Sequence, residues 1–370
     1  MAADINSRLS QLRARRKGTD GIALDSINFS EAVQDTEEWE KRGKTGESWT
    51  RYAIGAMEAV TKRYTEISVE TGMRVANQLK DRLAAGGTEA EFRLQGSVPL
   101  NVHIKRVSDV DLLSLDTGYL SYDTTGVMAQ RGHYRNPSKL TASEILGSLR
   151  QKVESALVDA FPAAKVDKTG AKAVKMTGGS LARAVDVVPS IWYDTDAYQA
   201  SQREADRTVR IYNRHTGAVI DNLPFLHIDR VGTRCDSTNG GLRKAIRLCK
   251  NIKADSDRNI QLSSYDIAAI MYHADMNALR MGQFSDLAVL AETQRHLDAL
   301  YRDTTTASRL WVPDGTRLIF DAPEKRDSLL LLSLELDELL KNVYRENYPS
   351  TFSPSTADNI LRELVKSLAV

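Results

Sequence analysis

Apolar residues recur at helical spacing from Glu47 to Leu83 (Ile54, Met57, Val60, Tyr64, Ile67), and the run stops at Gly86-Gly87, which predicts one long helix. The period then shortens. The stretch FRLQGSVPLNVHIKRVSDVDLLSLD, residues 92–116, reads as strand, Gly-Ser turn and strand, the second strand opening on Asp-Val-Asp. Helical spacing returns in TASEILGSLRQKVESALVDAFP, where Thr141 and Glu144 form a capping box and Pro162 marks the stop. Two β-type runs follow, AKVDKTGAKAVKMTGG and SLARAVDVVPSIWYD, divided by Thr-Gly and Gly-Gly turns, and RTVRIYNRHTGAVIDNLP reads as a hairpin ending at Pro224. From Asn239 onward the pattern is mostly helical. The expected class is α+β: a mixed sheet with a long spine helix, then a helical domain. The predicted division is 1–224 and 225–370, with the boundary between Asn222 and Asp229.

Composition narrows the function classes. With 370 residues, 42% hydrophobic and 27% charged, the chain has the balance of a globular protein with room for one large or two ordinary domains. Fifty Lys and Arg face 49 Asp and Glu, so no overall field would draw in a large nucleic acid, and strong nucleic-acid binding is not expected. A local basic patch could come only from the HIKR loop, His103 to Arg106, or the lysines of AKVDKTGAKAVK, which otherwise read as a solvated face. Two cysteines make no disulfide framework. A zinc module would need His227, Cys235 and Cys249 at loose spacing. The N-terminal stretch lacks the apolar core of a secretory signal, and the greasiest run, SLLLLSLELDELL, is too short and too acidic to span a bilayer. A cytoplasmic protein without membrane attachment is expected.

The acids carry the chemistry. On a strand Asp109 and Asp111 share one side, about 7 Å apart, while Val110 turns to the core. Like charges so close favour a cation between them, and Mg²⁺ suits a few carboxylate oxygens with positions left for water and phosphate. Asp186 repeats the pattern between Val185 and Val187. A third such acid would allow two ions to be bridged, the arrangement used in phosphoryl transfer. Just ahead, Gly96-Ser97 offers close backbone approach, free N–H groups and a hydroxyl for a terminal phosphate.

The combination LQGSVPLNVHIKRVSDVDLL followed later by AVDVVPS resembles the DNA polymerase β-like nucleotidyltransferases, and within them the CD-NTase enzymes, the bacterial cGAS-like makers of cyclic oligonucleotide signals. The resemblance runs from about Glu47 to the end. It implies a polymerase β-like nucleotidyltransferase core with a helical domain closing over the nucleotide. Asp109, Asp111 and Asp186 would be catalytic and would bind two Mg²⁺ ions, with Mn²⁺ as a substitute. Gln95, Gly96 and Ser97 would contact the nucleotide, Lys250 and Ser264 would hold the donor triphosphate, and Tyr265 would stack on a base. NTPs would be joined into a cyclic di- or trinucleotide second messenger in anti-phage (CBASS) signalling, with CBASS regulatory or conjugating proteins as partners. An RNA or protein acceptor, or a catalytically silent nucleotide sensor, would be the alternatives.

The residues near these positions also have plainer readings. In NGGLRKAIRLCKNIKAD, Leu242, Ala245, Ile246, Cys249 and Ile252 make a core stripe, while Arg243, Arg247 and Lys250 share another face. Ser263 with Asp266 reads as a helix cap, which sets Ser264 and Tyr265 at a positive helix end. Two departures from the family stand out. Asn101-Val102 occupies the place where many relatives carry Gly-Thr, and the chain ends in Val370 where conjugated relatives end in Gly or Ala, which leaves conjugation open.

Overall fold

A computed structural model describes residues 4–17, 37–42, 46–135 and 138–368; Val370 lies outside them. In chain order the principal elements are α1 (Ile5–Lys17), α2 (Ser48–Met57), α3 (Lys62–Ala85), β1 (Ala90–Gln95), β2 (Val110–Tyr122), α4 (Ala142–Ala160), β3 (Lys165–Asp167), β4 (Val174–Thr177) and β5 (Val185–Asp194). Then come β6 (Thr208–Tyr212), β7 (Val219–Asn222), α5 (Pro224–Ser237), α6 (Gly241–Asp255), α7 (Ser264–Tyr272), α8 (Asp286–Arg302), α9 (Pro323–Asn347) and α10 (Asp358–Lys366).

The run expected as one helix over 47–83 is two. Glu58 leaves α2 with an extended backbone (ψ 140°), and Thr61 caps α3 by accepting the Tyr64 N–H. The apolar register continues across the break, so periodicity alone conceals it. The spine is therefore the 24-residue α3, ending at Gly86 as expected. Both capping boxes, Thr141 with Glu144 and Ser263 with Asp266, form as read from the sequence.

The chain folds into two compact units, one made of residues 61–101 and 109–230, the other of 1–60, 102–108 and 231–370. The first ends at Arg230, and residues 1–60 and 102–108 group with the C-terminal helices.

The first unit holds the mixed sheet, ordered β1-β2-β5-β4-β3 with β6 and β7 continuing from β5. Only β2 and β5 pair in parallel among the described strands, which the crossover through α4 permits. One face carries Val110, Leu112, Val174, Met176, Val185 and Val187 against Val75, Leu79 and Leu83 of α3 and Leu149, Val153 and Leu157 of α4. Gly72 lets α3 approach closely, since a Cβ there would meet Leu94 at 2.9 Å and Val110 at 3.0 Å. The other face packs Leu113, Leu115, Val188, Trp192, Val209 and Ile211 together.

In the second unit α8 packs against α9 and α10, and α6 against α2 and α7. Cys249 is buried in α6 as the core stripe predicted. The N-terminal α1 packs on α2 and α6, burying Arg8, Leu9, Leu12, Arg15 and Arg16 along one side. Arg8 pairs with Glu335, while Arg15 pairs with Asp255, which also accepts from the Tyr52 hydroxyl at 2.8 Å. The HIKR loop is no solvated patch: His103 and Ile104 are buried, and the Lys105 amine donates to the Arg16 carbonyl at 2.7 Å. No described helix is long and apolar enough to cross a membrane.

Candidate active site

The strand register builds the site. Gln95 pairs with Asp111, Asp111 with Asp186, Asp186 with Lys175, and Lys175 with Asp167, so one row of polar side chains crosses five strands. Paired residues share a face, and here it is the face opposite α3 and α4, because each strand alternates these residues with the buried Val110, Val185, Val174 and Met176. Asp109 stands one residue before β2, two before Asp111, and so falls on the same side. The register sets Asp111 beside Asp186, and Asp109 on the same side is held in a salt bridge by Lys175.

The Gly-Ser turn stands at the end of β1. Gly96 has φ +73°, and a Cβ there would lie 2.1 Å from Asp111 Oδ2. The carboxylate thus packs into the space that glycine leaves. Replacing Gly96 by Ala is expected to displace Asp111 and strain the turn, costing about 1–2 kcal/mol of stability and lowering turnover by roughly 100-fold or more. Thermal melting and pyrophosphate release measure the two effects separately.

Asp186 Oδ1 is buried without a protein hydrogen-bond partner, although such oxygens are normally satisfied. Burial first, and the charge of Asp109 second, hold its carboxyl above the ordinary value, with Lys175 pulling the other way. An orphaned carboxylate oxygen beside two further acids fits a hard divalent cation, and the all-oxygen donor set fits Mg²⁺ or Mn²⁺. Among the described residues, no group of three or more His, Cys, Asp and Glu side chains is arranged to hold a metal ion by itself. Asp109 is engaged by the Lys175 ammonium.

Lys175 is the residue that sequence reasoning missed, having counted it with a solvated lysine face. Its signal was present as a lone lysine between the strand residues Val174 and Met176. The hydrogen bond to Asp109 raises its pKa most, partial burial opposes the rise, and the charges of Asp186 and Asp111 add to it.

The remaining candidates lie in the other unit. Lys250 is buried at 3% exposure, its ammonium donating to the Val102 carbonyl at 2.9 Å and to Ser108 Oγ at 3.0 Å. Arg247 is likewise buried and donates to the Met57 carbonyl, while Arg243 pairs with Asp236, so the three cations expected on one face of α6 have separate structural partners. Ser264 is exposed at the first turn of α7. The Tyr265 hydroxyl donates to Asp314, and Arg317 lies over its ring at 5.3 Å. The zinc reading finds no support in the cysteines: burial raises the Cys235 thiol to about 11 and the Cys249 thiol to about 12, so both stay protonated.

Comparison with known proteins decides the family. The chain is 44% identical over 97% of its length, and 97% of the relative's, to the cyclic dinucleotide synthase CdnE of Yersinia aleksiciae. The chain belongs to the CD-NTase family. A c-di-GMP synthase of a Lachnospiraceae bacterium is 31% identical over 73% of this chain and 79% of its own. Among solved CD-NTase structures, the STING-associated CdnE c-di-GMP synthase from Capnocytophaga granulosa superimposes with TM-score 0.70 at 28% identity, covering 93% of this chain and 99% of that one. The Rhodothermus marinus CdnE c-UMP-AMP synthase shares the fold, at TM-score 0.56 and 18% identity, over 80% of this chain and all of that one. No protein-family model matches the chain. As a CD-NTase the protein is a nucleotidyltransferase, and the expected polymerase β-like α+β fold is the one it has.

Proposed function

We propose that this CD-NTase condenses two NTPs into a cyclic dinucleotide, releasing pyrophosphate at each bond, with Asp109, Asp111 and Asp186 as its catalytic acids. The observation that carries the assignment is the buried, unpartnered Asp186 Oδ1 in register with Asp111, itself packed against Gly96. The ring of two is supported by the names of its relatives, a cyclic dinucleotide synthase and a c-di-GMP synthase.

The three carboxylates would hold two Mg²⁺ or Mn²⁺ ions. When bound, such ions supply charge neutralisation at the transferring phosphoryl group and at the departing pyrophosphate. The chain's own groups do the rest. Asp186 orients the acceptor ribose hydroxyl and accepts its proton at the carboxylate oxygen not given to metal. The turn after Gln95 offers the Gly96 N–H and the Ser97 hydroxyl to a terminal phosphate. In the other unit the exposed Ser264 hydroxyl suits a phosphate oxygen, and the ring of Tyr265, held by Asp314 and backed by Arg317, offers a flat surface for a base. Lys250 would serve as a triphosphate ligand from a position where its ammonium already donates to the Val102 carbonyl and Ser108 Oγ. The messenger would serve bacterial anti-phage (CBASS) signalling in the cytoplasm, with a receptor protein reading it.

The test is incubation of the protein with four NTPs and Mg²⁺, with no RNA and no second protein. A small product resistant to phosphatase is expected. A product that forms only after RNA or protein is added, or NTPs left intact, would overturn the proposal.

A further inference from the structure

Lys175 sits in the middle of the acidic row, in register with Asp186 on one side and Asp167 on the other. Asp167 is already engaged, accepting from the Thr169 N–H at 2.8 Å and from its hydroxyl. The lysine instead reaches Asp109, beyond the register of its own strand pair, and feels the charges of Asp186 and Asp111 as well. Three carboxylates on one sheet face would repel one another with no cation among them. The lysine supplies that cation from within the chain.

We propose that Lys175 is a built-in counter-ion of the acid cluster, which pairs with Asp109 and opposes the binding of a divalent ion there. The inference rests on the assignment of Asp109, Asp111 and Asp186 as metal ligands. Its physical basis is competition. An ammonium held against one oxygen of Asp109 neutralises part of the charge that a dication would seek, and it repels the dication as it arrives. Lys175 and Asp109 are both partly exposed, with side chains 45% and 30% accessible, so the pair is screened and can open without unfolding the strand. The lysine therefore weakens the resting affinity for metal while keeping the acids together.

The experiment is titration with Mn²⁺ in the absence of nucleotide, followed by electron paramagnetic resonance, on the wild type and on Lys175→Met, Lys175→Arg and Asp111→Asn. Lys175→Met is expected to bind Mn²⁺ about fivefold tighter than the wild type, and Lys175→Arg, which keeps the charge, within about twofold of it. Asp111→Asn should lose the site and gives the background from other acids. Unchanged or weaker binding by Lys175→Met, with binding still lost in Asp111→Asn, would overturn the counter-ion role and leave the metal assignment standing. Wild-type binding retained in Asp111→Asn would overturn both. Circular dichroism melting of each variant establishes that the comparison is made between folded proteins.

Discussion

Asp111→Asn is expected to lower NTP turnover by on the order of 10³-fold or more while moving stability by less than about 1 kcal/mol. The two halves of this expectation have separate causes. Asp111 lies at the centre of the site: its register partners are Gln95 and Asp186, and its carboxylate fills the space beside Gly96. In phosphoryl transfer the protein does little covalent chemistry and acts through position and charge, so the loss of one negative oxygen removes most of what that position supplies. Stability is another matter. The neighbouring core side chains Val110 and Leu112 face away from the acids and keep their contacts, and asparagine preserves the size of the side chain. Fewer like charges on one face also means less repulsion. Pyrophosphate release and thermal melting of the same preparation check the two halves together.

Glu335→Ala is expected to destabilise the protein by about 3–5 kcal/mol. Glu335 and Arg8 bury side chains to 3% and 2% exposure, and the Arg8 Nε and Nη1 atoms have no other protein partner. Glu335 also accepts from Ser256 Oγ at 2.7 Å and from Arg258 Nε at 3.0 Å. Truncation leaves a buried guanidinium with no bonded carboxylate and only the more distant charge of Glu338 to offset it, which costs more than the pair contributes when whole. For a chain of 370 residues, a melting temperature lower by about 4–6 °C corresponds to this loss. Adding Arg8→Met should restore a large share of it, because the stranded charge is then gone. Failure of the double variant to recover would place the loss in the Ser256 and Arg258 contacts instead.

The sequence made most of the sheet unit legible. Strand alternation around Asp111 and Asp186, the capping boxes, the Gly86 stop and the hairpin over β6 and β7 all depend on neighbours a few residues away, which local pattern records. What stayed hidden depends on distant partners. The α1 stripe buries arginines whose acids lie 327 and 240 positions further along the chain, so no local reading marks it as a core helix. The break between α2 and α3 is invisible because both helices continue one apolar register. Lys250 was legible as sharing a helix face with Arg243 and Arg247, but not its burial, which comes from the segment 102–108 of the same unit. Lys175 gained its meaning only when register set it beside Asp186.

The central claim is that Asp109, Asp111 and Asp186 jointly hold divalent ions. A crystal of the protein grown with Mn²⁺ and a non-hydrolysable NTP, measured for anomalous scattering, tests it most directly. Manganese peaks ligated by carboxylate oxygens of all three residues, with Lys175 withdrawn from Asp109, are expected. Peaks elsewhere, or Asp186 Oδ1 turned away from the metal while Lys175 keeps its pair, would contradict it.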